Sequence, residues 1–234
     1  MSEIGPRARR EAEFVGRRDP FWPAQLTVAA AIALALDLPS RITIAQVWLL
    51  PAIEGVLLVG LVMSTPWVPL HRHAERRRVA LALVGLVTAS NLVNLGLLIH
   101  DLLHKSLPGH ALLLAGVEIW LTNVLLFTVL YWELDRGGPI ARQMPEMQPP
   151  DFLKAPDFLF PQMTEEKLGG IDWRACYIDY LYTSFTNATA FSPTDTMPLT
   201  PPAKLLMLVQ SGASLLTLGV VFARAINILN IVAK

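Results

Sequence analysis

The chain has 234 residues, 53% of them hydrophobic and 16% charged, with a formal net charge of zero and a mean hydropathy of +0.45. Charge well below the roughly one quarter typical of soluble domains excludes an ordinary water-soluble globule and points to an integral membrane protein, with the lipid bilayer as its partner and no nucleic acid. The single cysteine, Cys176, excludes an internal disulfide and a thiolate metal cluster.

About 20 residues of helix cross roughly 30 Å of hydrocarbon, and that length organises the chain. Residues 1–20 are polar and basic, with Arg7, Arg9, Arg10, Arg17 and Arg18, and lack a cleavable signal. They form a cytoplasmic N-terminus. Residues 21–135 hold four apolar runs, Phe21–Leu38, Ile42–Met63, Val79–Leu103 and His110–Trp132, read as a four-helix transmembrane domain. Arg72, Arg76, Arg77 and Arg78 follow the second run, whereas the opposite loops carry only Arg41 and Lys105. By the positive-inside rule this gives a multi-pass protein of the plasma (inner) membrane with its N-terminus cytoplasmic, and Tyr131 and Trp132 anchor the fourth helix at the interface.

Residues 136–170 are interrupted by "GGP", "MQPP" and "GG" and read as a cytoplasmic or interfacial linker, in which "DFLKAPDFLFPQM" is expected to lie along the headgroups. Residues 171–234 hold a weaker segment, Ile171–Phe191, a Ser/Thr/Pro/Asp loop and the apolar run Ala203–Val232. The expected fold class is all-α, with six membrane segments, the fifth spanning or re-entrant. A spanning fifth segment satisfies an even count, placing Lys234 and Arg224 on the cytoplasmic side, where Arg224 pairs with Glu133 or Asp135. A re-entrant one leaves the C-terminus outside.

Ionisable and amide groups within membrane helices are functional candidates, because each charged group is costly there. Glu54 stands in the second run, Asn91 and Asn94 share a face of the third, Glu118 and Asn123 lie on the fourth, and Arg224 is near the end of the last. The alternatives are a buried network, helix-to-helix adhesion, or, for Glu54 and Glu118, proton coupling. His100 and His104 have ligand spacing but no third ligand, so an interfacial pair is expected and no metal. On the last helix Gln210, Ser211, Ser214 and Thr217 form a polar stripe suited to a pore lining, while Gly212, Ala213 and Gly219 suggest close packing. No nucleophile elbow, P-loop, zinc-protease or dinucleotide motif is present, so neither an enzyme nor a cofactor is expected.

"YLYTSFTNAT" (180–189), "TAFSP" (189–193), Thr194, Asp195, Pro198 and the helix from Ala203 resemble in layout the pore region of tetrameric potassium-type channels: aromatic pore helix, Thr-rich filter, Asp, Pro and inner helix. Ser192 and Thr194 occupy the filter-glycine positions and Pro193 removes an amide, which replaces stacked carbonyl rings with a wider path lined by hydroxyls. The wider organisation resembles a broad family of uncharacterised bacterial polytopic inner-membrane proteins, whose aromatic "D-F-L-Y-F-x-F-T" and following Thr-Asp pair match Asp179, Tyr180, Leu181, Tyr182, Phe185, Thr186, Thr194 and Asp195. The wider resemblance implies the architecture alone; the pore-region resemblance implies an oligomeric, channel-like ion-permeation protein, a homo-oligomer passing monovalent cations, with Thr186, Asn187, Thr189, Ser192, Thr194 and Asp195 along the ion path. The alternatives are a non-conducting scaffold or accessory subunit, and a small-solute or proton-coupled transporter.

Overall fold

The computed structural model describes residues 19–37, 56, 59, 73–104, 109–143, 155–164, 173–189 and 195–232. Ile42–Met63, with Glu54, falls almost wholly outside the described residues, as do Ser192 and Thr194 and the side chains of His104 and Arg224. Six α-helices are described: α1 Trp22–Asp37, α2 His73–His104, α3 Gly109–Leu134, α4 Pro139–Gln143, α5 Tyr177–Thr189 and α6 Pro201–Val232. Among the described residues, three helices are long and apolar enough to cross a membrane, within Arg77–His100, Ala111–Gly137 and Pro201–Val221. The apolar helix at Trp22–Leu34 is shorter.

α3 is the hub, because α1, α2, α5 and α6 all pack on it. α2, α5 and α6 run antiparallel to it, as pairs of contacts along each show, and α1 starts beside Trp132 near the end of α3. Arg77 meets the carbonyl of Glu133 and Asn91 that of Ile119, aligning α2. Tyr180 meets Asp135 and Ser184 meets the carbonyl of Val124, aligning α5. Gln210 meets Tyr131, Ser214 meets Asn123 and Val221 lies over Gly116, aligning α6. α1, α2, α5 and α6 therefore start at one end of the bundle, here called the Asp19 end. One apolar cluster fills that end around Phe127, Tyr131, Trp132, Phe158 and Tyr180. A second, with Leu98, Leu112, Ala115 and Ile119, fills the other.

The arrangement fixes the course of the described part of Ile171–Phe191. α5 has 13 residues, about 20 Å at 1.5 Å per residue, too short for roughly 30 Å of hydrocarbon. By Thr196 the chain is back beside Thr183, and Thr200 binds Asp157 at the Asp19 end, where α6 begins. α5 begins, and the chain returns to start α6, at the same end of the bundle. α6 then runs away from that end, and position 224 lies at the opposite end from Glu133 and Asp135. The expected Arg224 ion pair concerns a side chain outside the described residues.

The start of α5 is explained locally. Asp179 accepts the amide of Cys176 at 2.8 Å and Asp19 accepts that of Tyr177 at 3.0 Å, so two otherwise orphaned N–H groups are satisfied. α6 begins with two prolines, which bring no amide needing a partner. α3 ends in a 3-10 turn, Asp135–Gly137, followed by Gly138. Arg136, Gly137 and Gly138 all have positive φ, and this reversal turns the chain toward α4.

The linker segment expected along the headgroups is in its described part an interior plug. Phe158 and Phe160 are 0% and 2% exposed, and both pack edge-on against Tyr180. Phe158–Leu159 (β1) pairs antiparallel with Met197–Pro198 (β2), bringing linker and return segment together. The cause is apolar: Phe158 packs between Tyr131 of α3 and Tyr180 of α5, and Phe160 between Tyr180 and Trp173.

Candidate functional site

Two polar assemblies are built on this frame. The first closes the Asp19 end. Arg142 is buried, and its guanidinium reaches Asp19 at 3.3 Å, the carbonyls of Trp132 and Asp135 each at 3.0 Å and that of Ala175 at 3.3 Å. It also lies 4.8 Å from the centre of the Tyr180 ring. A cation at the last carbonyls of α3 complements the negative end of that helix. Burial opposes its charge, but Tyr180, Asp135 and Asp19 outweigh this and hold its pKa above the usual value. The Asp19 carboxylate also accepts from the Trp132 indole at 2.9 Å. Asp135 accepts from the Tyr180 hydroxyl at 2.6 Å and the amide of Asp157 at 2.7 Å.

The second assembly runs from Tyr131 toward the middle of the bundle and consists of neutral groups. The Gln210 side-chain carbonyl accepts from Tyr131 at 2.5 Å and Asn187 at 2.7 Å. Its amide donates to the Ser184 hydroxyl at 2.7 Å and carbonyl at 3.0 Å. The Ser184 hydroxyl in turn donates to the carbonyl of Val124. Ser211 donates to Asn187 Oδ1 at 2.9 Å. One turn further, Asn123 donates to the Ser214 hydroxyl at 2.8 Å and the Gln210 carbonyl at 3.2 Å. Asn123 Oδ1 finds no donor among the described residues. Three helices are joined at a depth where water does not compete, so these bonds fix the tilt of α5 against α3 and α6.

The candidate ion-path residues divide. Asn187 faces the interior and is committed to Gln210 and to the carbonyl of Met207. Thr186 returns its hydroxyl to the carbonyls of Tyr182 and Thr183, and Thr189 to that of Thr186. Such back-bonding satisfies a hydroxyl within its own helix. Asp195 is exposed. In the polar stripe of α6, Gln210, Ser214 and Thr217 are buried within the protomer; Gln210 and Ser214 bond to α3, and Thr217 to the carbonyl of Ala213 in its own helix. Gly212 and Gly219, expected at close contacts, have open space where a Cβ would stand, and Gly116 on α3 is the tight position instead.

Asn91 ties α2 to α3 through the carbonyl of Ile119, the adhesive role, and Asn94 is buried beside it. Glu118 is half-buried on α3. Cys176, expected to pack, is half-buried, and burial together with Asp179 pushes its thiol up to about 11.

Asp19, Arg142, Asp157 and Tyr180 are the contributors that the sequence does not single out as site residues. Arg142 sits in a Pro/Gly-rich stretch that reads as linker, and the one available signal is an arginine four residues after a glycine pair. Compared with family models, curated proteins and solved structures, the chain finds no match.

Proposed function

We propose that the chain is a subunit of an oligomeric membrane protein that passes small ions, with the re-entrant element 177–200 and α6 as its permeation module. The observation that carries this reading is that α5 stops part-way along α3 while α6 starts back at the end where α5 began. A half-crossing helix, an immediate return and a full-length helix are the parts from which several subunits assemble a narrow aqueous path around an axis. The pore-region layout read in the sequence agrees with this order of parts. In the proposed orientation the Asp19 end, with Arg77 and Arg78, faces the cytoplasm. The re-entrant element then opens to the cytoplasm and the chain has six membrane segments, one of them re-entrant. Thr189, Ser192, Thr194 and Asp195 are the proposed wall of the path, and monovalent cations suit its hydroxyls and single carboxylate. Thr186 and Asn187 serve as supports.

A second reading, a non-conducting scaffold or accessory subunit, is favoured by one observation: Asn123, Asn187, Gln210 and Ser214 direct their polar groups at one another within a single protomer. Flux through liposomes containing the purified chain separates the two. The permeation reading expects a cation leak that Asp195→Asn and Thr189→Ala each change, from a particle of several subunits by native mass spectrometry. A tight liposome or a monomeric particle overturns it, and co-purification of another membrane protein then favours the scaffold.

A further inference from the structure

α5 is an amphipathic helix turned inside out. Its polar groups are committed inward: Thr183 meets Thr196, Ser184 the carbonyl of Val124, and Asn187 the side chain of Gln210. Its outward face carries Ile178, Tyr182 and Phe185, spaced i, i+4 and i+7 and 61%, 55% and 48% exposed. A helix at a water surface shows the opposite order, and large apolar side chains gathered on one exposed face mark a contact surface.

The neighbours set the level of that face. Tyr177 lies against Trp132 with ring centres 5.8 Å apart, and Ser184 is bonded beside Val124. Trp120 donates to the carbonyl of Ala188, and its ring lies 5.9 Å from that of Phe185. α5 thus descends from the end of α3 along Ala111–Gly137, a stretch apolar enough to cross a membrane, and Phe185 stands near its middle. Leu121 and Leu208, exposed on α3 and α6 at about that level, are apolar too. At the Asp19 end the exposed groups change character, with Trp22 at the start of α1 and Lys204 in the first turn of α6. Indoles and long-stemmed ammonium groups belong at headgroup level. The Tyr182 hydroxyl joins them, because a helical side chain leans toward the N-terminus of its helix, and for α5 that is the Asp19 end.

Helices that meet inside a membrane do so through small residues or polar groups. The outward face of α5 presents bulky side chains and keeps its amide and buried hydroxyls on the other side, which suits acyl chains and not a second helix.

We propose that this face is a lipid contact: acyl chains cover Phe185 and the ring of Tyr182, while the Tyr182 hydroxyl, Trp22 and Lys204 lie among the headgroups of the same leaflet. α5 is then sunk into the hydrocarbon layer and does not lie along its surface. The seating does not depend on the permeation reading.

The test places spin labels on Ile178→Cys, Tyr182→Cys and Phe185→Cys, each in a Cys176→Ser full chain reconstituted in phosphatidylcholine liposomes, with Glu75→Cys as the aqueous reference. All three α5 positions are exposed, so a label there leaves the core intact. Collisions with molecular oxygen, which concentrates among acyl chains, are compared with those of a water-soluble nickel chelate. Oxygen should dominate at 182 and 185, nickel at 75, and the label depth should increase by up to about 10 Å from 178 to 185, at 1.5 Å per residue. Nickel dominating at 185 means water on this face, and labels at 182 and 185 that neither probe reaches mean another protein chain. One common depth for the three positions means a helix lying on the surface. Each of these results overturns the proposal.

Discussion

Asp19 and Arg142, 123 positions apart in the chain, meet at 3.3 Å with their side chains 0% and 2% exposed. Through this pair the segment entering α1 holds α4, the end of α3 and the start of α5, because the same carboxylate binds Trp132 and the amide of Tyr177. Removing one member of a buried pair leaves an uncompensated charge, at a cost of about 3–5 kcal/mol. Asp19→Ala should therefore lower stability by about that amount, and Asp19→Asn by less, since the amide oxygen still accepts. Thermal unfolding in detergent reads the difference. Equal melting temperatures for the wild type and Asp19→Ala would show that the pair does not hold this end.

Gln210 is the node of the neutral assembly. Gln210→Leu keeps the volume but removes the partners of Tyr131, Asn187 and Ser184 together. Single interhelical bonds in membranes average about 0.6 kcal/mol, and an orphaned buried group adds about 1–3 kcal/mol. The expected loss is about 2–4 kcal/mol, well above that of Ser214→Ala, measured by denaturant titration of both variants. A Gln210→Leu protein as stable as the wild type would reduce the assembly to incidental contacts.

How much of this was legible follows from what each feature depends on. Val79–Leu103, His110–Trp132 and Ala203–Val232 closely anticipate α2, α3 and α6, since the length of an apolar run is a local property. The stripe Gln210, Ser214 and Thr217 was visible too, but a single sequence does not distinguish a stripe facing α3 from one facing a shared axis. The return of the chain to the end where α5 begins depends on where Thr200 docks, a contact with Asp157 43 positions away. Arg142 and Phe158 read as linker because Pro and Gly around them break periodicity, although tertiary packing buries both.

Gly116 sets the spacing of α3 and α6 near the far end. A Cβ built there lies 2.5 Å from Val221 Cγ2, on a β-branched side chain with few rotamers to retreat into. Gly116→Leu should cost about 1–3 kcal/mol through overpacking, and Val221→Ala in the same chain should restore part of it. Gly212→Ala, where a Cβ meets nothing within 4 Å, should be neutral or slightly stabilising. Melting temperatures of the four proteins check the set, and a Gly116→Leu change as mild as Gly212→Ala would contradict the close approach.

Cys176 offers a pH-dependent readout. With its thiol pushed up to about 11 by burial and then by Asp179, only about one thiol in a thousand is ionised at pH 8. Alkylation by a membrane-permeant maleimide should be slow there and rise about tenfold per pH unit to pH 10. Asp179→Asn removes a neighbouring negative charge, so it should lower the pKa and speed the reaction at pH 8. A rate that levels off below pH 9 would place the thiol in an ordinary environment.

The re-entrant course makes the sharpest topological prediction. Glu75 at the start of α2 and Leu199 just before α6 both lie toward the Asp19 end, whereas position 230 is near the far end of α6. Single cysteines placed at these three positions in a Cys176→Ser background should fall into two groups with a membrane-impermeant maleimide. Positions 75 and 199 should label from one face of sealed vesicles, and 230 only from the other. The grouping does not depend on which face is cytoplasmic, so it tests re-entry apart from the arginine rule. A fully spanning Ile171–Phe191 instead puts 199 opposite 75 and returns 230 to the same side as 75. That pattern would reverse the direction of α6 and remove the geometric basis of the permeation module.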